Sequence, residues 1–388
     1  MQILTVDIGT GTQDIFLYDS RLDIENGFKL VVPSPTMIVH GRIRQATQRR
    51  EPILLSGVIM GGGPSQWAAE DHLRAGLTLY ATPEAARTFN DDLEAVKTMG
   101  IRLVSEDEAT KLPDSVVRLE LADFDFIAIT DALNKFGISL SQLAAVGVAV
   151  FDHGDSPPGY SDRQFRFDYL DARIDAENRL SAFAYKAEDI PLIMTRLEAV
   201  TKSPKGIQDS PFSGLPLVVM DTAPAAILGA TFDPHIASAS RVMIANVGNF
   251  HTLAFRLGPE GIEGVFEHHT GLLDLSRLEG FLVALADGSL NHTDVFDDHG
   301  HGALVYSPAP LATDEADFGV AVTGPRRNLM RNSMLRPYFA VPFGDMMVAG
   351  CIGILASIAD LLPELASPIR ESLKGEGGSG TPPWELDR

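Results

Sequence analysis

The stretch ILTVDIGTGTQDIFLYD, residues 3–19, decides the fold because two apolar runs enclose a turn rich in glycine and threonine. The first run ends at Asp7, and a plain hairpin needs only Asn-Gly or Asp-Gly after such a strand. This turn instead contains Gly9, Thr10, Gly11 and Thr12. Backbone N–H groups and hydroxyls concentrated in one turn favour the binding of an anion such as phosphate. A polar hairpin without a ligand explains the stretch equally well.

A second stretch, VMIANVGNFHTLAFRLG at residues 242–258, aligns with the first without a gap. Asn246 stands at the place of Asp7, and Gly248 stands at the place of Gly9. Two such hairpins facing each other could hold a polyphosphate between two domains, although a chance similarity is the alternative. The candidate phosphate-binding residues of the two hairpins are Gly9, Thr10, Gly11, Thr12, Asn246, Gly248, Asn249, His251 and Thr252.

The segment that precedes the second hairpin is VVMDTAPAAILGATFDP, residues 218–234. It predicts a strand that ends at Asp221, a helix of small residues, and a break at Asp233-Pro234. Asp221 at this junction either orients a water or hydroxyl towards a γ-phosphate or caps the helix. The sequence leaves both roles open.

This order of motifs resembles the superfamily of actin, the major heat-shock chaperone and the sugar and acetate kinases. There, a small-residue helix connects two domains and directly precedes a glycine-rich phosphate hairpin. The stretch FGVAVTGPRRNLM, residues 318–330, resembles the adenosine motif of that superfamily, with Gly324 at its turn and Gly-Pro in place of the usual Gly-Gly. YFAVPFGDMMVAGCIGILAS, residues 338–357, resembles its closing helix.

The resemblance implies a two-domain actin-like ATPase fold, in which two ribonuclease H-like α/β domains enclose a cleft. It also implies that ATP binds in the cleft with a hydrated Mg²⁺ anchored by Asp7. The whole chain further resembles an uncharacterised group sometimes labelled pyruvate formate-lyase activating enzyme. That label implies radical chemistry at an iron–sulfur cluster held by three closely spaced cysteines. The chain contains the single cysteine Cys351, so we reject that activity.

Strand-like and helical runs alternate along the chain, which is typical of α/β proteins. Within this pattern, Met37–Arg44 reads as a third strand after the first hairpin, and Glu177–Val200 reads as largely helical. The expected parts are an N-terminal domain at residues 1–216 with a helical insertion near 155–214, a C-terminal domain at 217–373 and a mobile tail at 374–388.

Composition restricts the partners of the protein. The 388 residues include 31 Lys and Arg against 52 Asp and Glu, a net charge of −21, which argues against nucleic acid or an anionic membrane as the main partner. The N-terminus lacks a signal-peptide pattern, and the uncharged run Met346–Ala359 is too short to span a bilayer. We expect a cytoplasmic protein whose partners are a nucleotide and a small-molecule substrate. The sequence does not determine its oligomeric state.

Two further segments carry groups capable of catalysis or metal binding. FDHGD, residues 151–155, follows a buried strand, and open α/β sheets bind ligands at the carboxyl ends of their strands, so Asp152 is a candidate general base. Six of the ten histidines fall between residues 251 and 301. NHTDVFDDHGHG, residues 291–302, predicts a transition-metal site at His292, His299 and His301, unless these are ordinary turn residues.

The combined expectation is an ATP-dependent phosphotransferase that acts on a small metabolite, with Asp7, Asp152 and Asp221 as catalytic residues. Asn246 keeps a hydrogen-bonding oxygen at the second hairpin but lacks the charge of an aspartate. A nucleotide-binding switch or scaffold with little turnover is therefore one alternative. A metal-dependent enzyme that uses the histidine-rich loops is the other.

Overall fold

The computed structural model describes residues 1–311, 317–378, 380 and 382–385. Residues 379, 381 and 386–388 of the predicted tail lie outside this part. The strands are β1 (Gln2–Ile8), β2 (Thr12–Asp19), β3 (Phe28–Pro33), β4 (Ile53–Gly57), β5 (Leu79–Ala81), β6 (Arg102–Leu103), β7 (Val117–Leu121), β8 (Leu143–Val150), β9 (Ala184–Lys186), β10 (Leu217–Asp221), β11 (Val242–Val247), β12 (His251–Gly258), β13 (Gly261–His269), β14 (Gly302–Val305), β15 (Val320–Thr323) and β16 (Pro337–Phe339).

Helices cover the sheets and connect the strands. They are α1 (Pro35–Arg49), α2 (Pro64–Arg74), α3 (Pro83–Ala86), α4 (Leu93–Thr98), α5 (Glu106–Thr110), α6 (Phe126–Lys135), α7 (Asp162–Ala176), α8 (Thr195–Thr201), α9 (Thr222–Ala230), α10 (Pro234–Ala237), α11 (Leu275–Asp287), α12 (His292–Phe296), α13 (Ala349–Leu361) and α14 (Ala366–Leu373).

Two six-stranded sheets share one topology over five strands, and each has one further antiparallel edge strand, β9 in the first and β14 in the second. The first has the order β3-β2-β1-β8-β10-β9 and the second has the order β14-β13-β12-β11-β15-β16. In each sheet an antiparallel meander of three strands continues into two strands that run parallel to its first strand. The duplicated order confirms the predicted fold, in which two ribonuclease H-like α/β domains form an actin-like ATPase architecture.

The two hairpins that open these sheets also have the same register. Asp7 pairs with Asp14 in the first hairpin, and Asn246 pairs with Leu253 at the equivalent place in the second. Because register determines which face of a sheet each side chain occupies, equivalent residues of the two hairpins point the same way. The gap-free alignment of the sequences therefore corresponds to superimposable local structure.

A third sheet, with the parallel order β6-β5-β4-β7, lies between the first meander and β8 in the sequence. It has its own hydrophobic core, which includes Ile53, Leu55, Leu79 and Leu119. Sequence reasoning assigned these strands to the N-terminal domain without recognising a separate sheet.

The segment Met37–Arg44, predicted as a strand, lies inside helix α1, so this prediction is wrong. The apolar residues Met37 and Ile38 suggested a strand, but both are exposed. The buried side chains instead recur at the three- and four-residue spacing of a helix. They are Thr36, Val39, Ile43 and Ala46.

The segment Glu177–Val200 is mostly not α-helical, which also differs from the prediction, and it contains short 3-10 turns at Leu180–Phe183 and Ala187–Asp189. Residues 180–185 are consecutively buried. Strand β9, which overlaps the end of this run, pairs antiparallel with β10 at the edge of the first sheet. The α-helix of this segment, α8, begins at Thr195, after Pro191. The predicted helical insertion therefore contains two helices, α7 and α8, and an edge strand between them.

The predicted boundary after residue 216 differs from the observed sheets. Strand β10 is hydrogen-bonded within the first sheet, and α13 packs on that sheet, where Ile354 and Ile358 share a core with Ala145 of β8. In the described part of the chain, no single helix is long and apolar enough to cross a membrane, and one pair, Met346–Leu361 with Pro363–Leu373, meets that criterion only across a 114° bend.

Candidate functional site

A cavity of about 210 Å³ is lined by residues of both domains, and the tips of the two hairpins meet there. A Cβ added to Gly11 would lie 2.5 Å from Nδ2 of Asn249, so the hairpin tips face each other closely. The predicted nucleotide-binding residues that line the cavity are Gly9, Thr10, Gly11, Thr12, Asn246, Gly248, Asn249, His251 and Gly324. Thr252 is fully buried elsewhere, 2.9 Å from the hydroxyl of Thr270.

Both hairpin turns are closed by the same backbone hydrogen bond. The N–H of Gly9 donates to the carbonyl of Thr12 at 2.9 Å, and the N–H of Gly248 donates to the carbonyl of His251 at 2.9 Å. This bond tightens each turn at the edge of the cavity. The two turns therefore present similar backbone surfaces to whatever lies between them.

Asp7 and Asp14 form a pair of acids at the base of the first hairpin. Both line the cavity, and they are direct partners across the two strands. Burial raises the pKa of Asp7 to about 6, although a hydrogen bond from the hydroxyl of Thr222, 2.5 Å away, opposes the shift. Burial and the charge of Asp7 raise the pKa of Asp14 to about 8. Oδ1 of Asp14 is buried without a hydrogen-bond partner.

The starts of helices α9 and α13 both meet the carboxylate of Asp7. Thr222, which donates to Asp7, is the first residue of α9. Gly350, the second residue of α13, lies so close that an added Cβ would overlap the carboxylate. Helix N-termini are electropositive, so this part of the cavity favours negative charge despite the net charge of the protein.

Asp152 lies beneath the cavity and does not line it. Its Oδ1 accepts a hydrogen bond from the N–H of Gly154, and its Oδ2 accepts from those of Arg196 and Leu197, each at 2.9 Å. One oxygen therefore holds the loop after β8, and the other holds the first turn of helix α8. The structure places this predicted base in a position where it holds Arg196.

Asp221 also does not line the cavity. Its Oδ1 accepts a hydrogen bond from the N–H of Ala223 at 3.1 Å, so it caps helix α9. Its other oxygen pairs with Arg166, which is fully buried and also pairs with Glu267 at 3.1 Å. Of the two roles left open by the sequence, helix capping is the one for which the geometry is present.

Arg196 is a cavity residue that sequence reasoning missed. It is the second residue of helix α8, where it pairs with Asp123 at 2.7 Å and donates to the carbonyl of Phe151 at 2.6 Å. Among the cavity-lining residues that the structure describes, it is the one Lys or Arg. No motif marks this arginine in the sequence, because its place at the cavity depends on how the start of helix α8 packs against the loop after β8.

The structure does not bring His292, His299 and His301 together as a metal site. The ring of His292 packs against those of Phe167 and Phe296, with centroids 5.9 and 5.3 Å away. His299 occupies a turn with φ of +66°. Over the described residues, the one set of three or more His, Cys, Asp or Glu with ligand atoms all within 4.8 Å of one another is His153, His251 and His301.

This histidine cluster adjoins the cavity. His153 and His251 line it, and His301 lies behind them and is 1% exposed. Burial lowers the pKa of His301 to about 2 and holds the pKa values of His153 and His251 well below the usual range. All three imidazoles are therefore neutral at physiological pH, which is the form that binds metals. The cluster was not predicted because its members are widely separated in sequence.

Several solved structures resemble the chain over most of its length, at low sequence identity. They include the activator of the 2-hydroxyisocaproyl-CoA dehydratase from Clostridium difficile (9% identity, 97% of each chain, TM-score 0.32). The ethanolamine utilization protein EutJ from Carboxydothermus hydrogenoformans (10% identity, 91% of this chain and 89% of that chain, TM-score 0.30) is another. A third is a ROK family glucokinase from Streptomyces griseus (12% identity, 98% and 92%, TM-score 0.27).

No curated protein is significantly similar to the chain in sequence. The sequence model of one protein family matches residues 60–329, which is more than half of the chain. The match agrees with the group to which the sequence was compared above. The chain therefore belongs to the family described as "Putative pyruvate format-lyase activating enzyme (DUF1786)".

Proposed function

We propose that the cavity between the two hairpins binds Mg²⁺ and ATP, and that the protein is an ATP-dependent phosphotransferase acting on a small metabolite. One observation carries the proposal. Two hairpins of identical register face each other across one cavity, and the first of them places Asp7 and Asp14 side by side at its base. The arrangement combines backbone donors for phosphate with carboxylates for a cation.

The residues present fit a hydrated Mg²⁺. This ion takes one or two carboxylates and keeps several waters, and two adjacent carboxylates line the cavity. Oδ1 of Asp14 is buried and lacks a partner, which a cation or its water would supply. Bound Mg²⁺ contributes positive charge at the phosphate oxygens. The raised pKa values of Asp7 and Asp14 imply that binding releases a proton from the pair.

The remaining groups suit the phosphates and the nucleoside. The hydroxyl of Thr10 and turn N–H groups other than those of Gly9 and Gly248 can donate to phosphate oxygens, and Arg196 can neutralise charge. Gly324 has φ of +95° at the end of β15, a conformation that L residues rarely adopt. Phosphoryl transfer depends mainly on positioning and on charge neutralisation, and these groups supply both.

The proposal changes the roles assigned from sequence. It keeps Asp7 as a cation-binding residue and adds Asp14. Asp152 becomes a residue that positions the first turn of α8, which carries Arg196, since both its oxygens accept backbone hydrogen bonds. Asp221 becomes a helix cap paired with Arg166. Neither of these two acids has an oxygen free to accept the proton of a substrate hydroxyl.

The test is calorimetric titration of the protein with ATP, with and without Mg²⁺. We expect Asp7→Asn to weaken Mg-dependent binding by roughly ten-fold or more, because the isosteric amide removes one charge beside the cation. Asp107→Asn, on the exposed helix α5, is the control and should bind as the wild type does. Absence of any heat or thermal stabilisation at millimolar Mg-ATP in the wild type would overturn the proposal.

A nucleotide-binding switch with little turnover is the second candidate. The second hairpin has Phe250 and His251 where the first has Gly11 and Thr12, and it contains neither of the two acids. A hairpin altered in this way supports binding better than rapid chemistry. Single-turnover measurement with radiolabelled ATP separates the two candidates, since a switch would hold the nucleotide intact for many minutes and a phosphotransferase would pass label to its metabolite.

A further inference from the structure

We propose that His153, His251 and His301 form a binding site for a divalent transition metal, separate from the Mg²⁺ site and best suited to zinc. One ring nitrogen of each lies within 4.8 Å of the other two. That spacing suits a tetrahedral ion with Zn–N bonds of about 2.0–2.1 Å, whose nitrogen ligands lie roughly 3.3 Å apart, after small adjustments of the side chains. The three residues come from the loop after β8, the start of β12 and the residue before β14.

Unpaired polar atoms provide an independent observation. Nε2 of His251 and Nδ1 of His301 are buried without hydrogen-bond partners. His301 is 1% exposed, so bulk water does not supply the missing partner. Buried polar groups are nearly always paired, and two unpaired imidazole nitrogens in one cluster call for an explanation. A metal ion bound by the cluster would supply a partner for Nε2 of His251, and it would orient the ring of His301 so that its Nδ1 can donate to a carboxylate.

The surroundings of the cluster supply the outer groups that metal-binding histidines require. Oε1 of Glu267 lies 3.6 Å from Nδ1 of His301, and neither atom has a hydrogen-bond partner. Metal-bound histidines commonly donate their second nitrogen to a carboxylate, which fixes the ring. Arg166 is positive but pairs with both Asp221 and Glu267, so this buried group of three carries a net charge of −1 when ionised. The two carboxylates therefore offset the positive charge of Arg166 beside the cluster.

The site would have an open coordination position on the cavity side. Three protein ligands with one open position are typical of catalytic zinc, whereas structural zinc has four protein ligands. His153 and His251 line the cavity, so a small oxygen ligand can reach the metal from there. We infer that this position takes a hydroxyl or carboxylate oxygen of the metabolite, and this last step rests on the proposed phosphotransferase function. The metal site itself does not depend on it.

The experiment is a titration of chelator-treated, nucleotide-free protein with Co²⁺, whose visible absorption reports its coordination. We expect one Co²⁺ per chain, displaced by Zn²⁺, with binding weakened roughly ten-fold or more by His153→Ala and by His301→Ala. His292→Ala at the start of α12 and His299→Ala in the turn after that helix are matched controls, and both should bind Co²⁺ as the wild type does. Sodium azide should then change the spectrum of the wild-type cobalt protein if a coordination position is open.

Several results would overturn the proposal. The first is a wild type that does not bind Co²⁺ or Zn²⁺ stoichiometrically. The second is equal metal binding by the wild type, His153→Ala and His301→Ala. The third is loss of metal binding in His299→Ala. Because His301 is buried, circular dichroism must show that His301→Ala is folded. If this variant is unfolded, the metal stoichiometry of the wild type and the binding by His153→Ala decide whether the site exists. Calorimetry with Mg-ATP is run separately, so failure of the metal site and failure of nucleotide binding are distinguishable.

Discussion

At the scale of single residues, the most informative feature is the pair formed by Asp7 and Asp14. Two buried carboxylates placed opposite each other in a hairpin repel when both are ionised. Burial raises the pKa of each, and the charge of Asp7 adds to the shift of Asp14. Without a cation the pair therefore holds about one proton near neutral pH, and a coupled pair of this kind titrates as a unit.

This pair predicts how the stability of the metal-free protein depends on pH. Both folded-state pKa values, about 6 and about 8, lie above the ordinary value of 3.8, so the stability that these groups contribute is present below about pH 4 and is lost as pH rises to about 8. We expect Asp14→Asn to reduce this loss by on the order of a few kcal/mol. Urea unfolding between pH 5 and 8, with EDTA present, measures how the free energy of unfolding changes with pH in the variant and in the wild type.

The control for that experiment is Asp107→Asn, which removes an exposed charge of the same sign. It should leave the slope of unfolding free energy against pH unchanged. If Asp14→Asn has the same slope as the wild type, Asp14 does not carry a raised pKa, and the pair is not a coupled site. Added Mg²⁺ should flatten the wild-type slope, because a bound cation favours the ionised carboxylates.

Sequence reasoning succeeded for residues whose partners are close in the chain and missed others. The turn residues and Asp7 belong to one continuous motif, so their common position at the cavity could be predicted. Asp14 was available in the same motif, but its importance depends on the hairpin register. His153, His251 and His301 meet only because two domains pack together, and no local pattern encodes that packing.

At the scale of secondary-structure elements, the crossing of α9 and α13 holds the base of the cavity in place. The helices approach through small residues, so that a Cβ added to Gly353 would overlap the carbonyl oxygen of Ala225 and one added to Gly229 would overlap that of Ala349. Because each helix begins beside Asp7, their close packing determines where that carboxylate lies. In the sequence, the two helices are recognisable by their small residues, which are the residues that permit this close crossing.

The crossing predicts opposite effects for two glycine substitutions within helices. We expect Gly353→Ala to destabilise the fold by about 1–3 kcal/mol, because the added methyl group requires the two backbones to separate. Gly280→Ala, in α11, meets nothing within 4 Å and should stabilise the fold by about 0.5–1 kcal/mol through helix propensity. Unfolding free energies in urea test both. Equal effects of the two substitutions would show that the helices do not pack closely.

Prediction of elements failed where exposed apolar residues interrupted the pattern. Met37 and Ile38 are exposed on α1, and their presence concealed the helical spacing of the buried residues. The separate four-stranded sheet was missed because its strands are short, and the pairing partners of parallel strands lie far apart in the sequence. Strand pairing is a property of the whole fold. It could be predicted from the sequence only for the two hairpins, whose sequences repeat.

At the scale of the whole molecule, the two halves have kept one topology but not one chemistry. The first hairpin carries Asp7 and Asp14, and the second carries Asn246 and Leu253 at the equivalent places. The second turn also carries Phe250, whose ring lies 6.1 Å from that of Trp67, on helix α2 beside the inserted sheet. This contact joins the second domain to the insertion of the first across the cleft. The proposed cation site is therefore one-sided, and the second hairpin contributes its backbone and aromatic contacts.

Restoring the missing acid tests whether the second hairpin faces the cation. Asn246 lines the cavity and is only partly buried, so an aspartate there would be neither fully desolvated nor excluded from the site. If the hairpins form a clamp, Asn246→Asp adds a negative charge near Mg²⁺, where even a screened attraction is worth on the order of a few kcal/mol. We therefore expect tighter Mg-ATP binding and, because like charges then crowd the metal-free cavity, a lower unfolding free energy without Mg²⁺.

Asn328→Asp is the control, since it adds the same charge at an exposed position of the same domain, away from the cavity. Calorimetry with Mg-ATP and urea unfolding with EDTA are compared for the two variants and the wild type. Tighter binding in Asn246→Asp alone identifies a local interaction with the cation rather than an effect of net charge. Weaker Mg-ATP binding in a folded Asn246→Asp protein would mean that its carboxylate repels the phosphates without reaching the metal. The second hairpin would then contact the nucleotide from a side that the cation does not occupy, and the two-hairpin clamp would be incorrect.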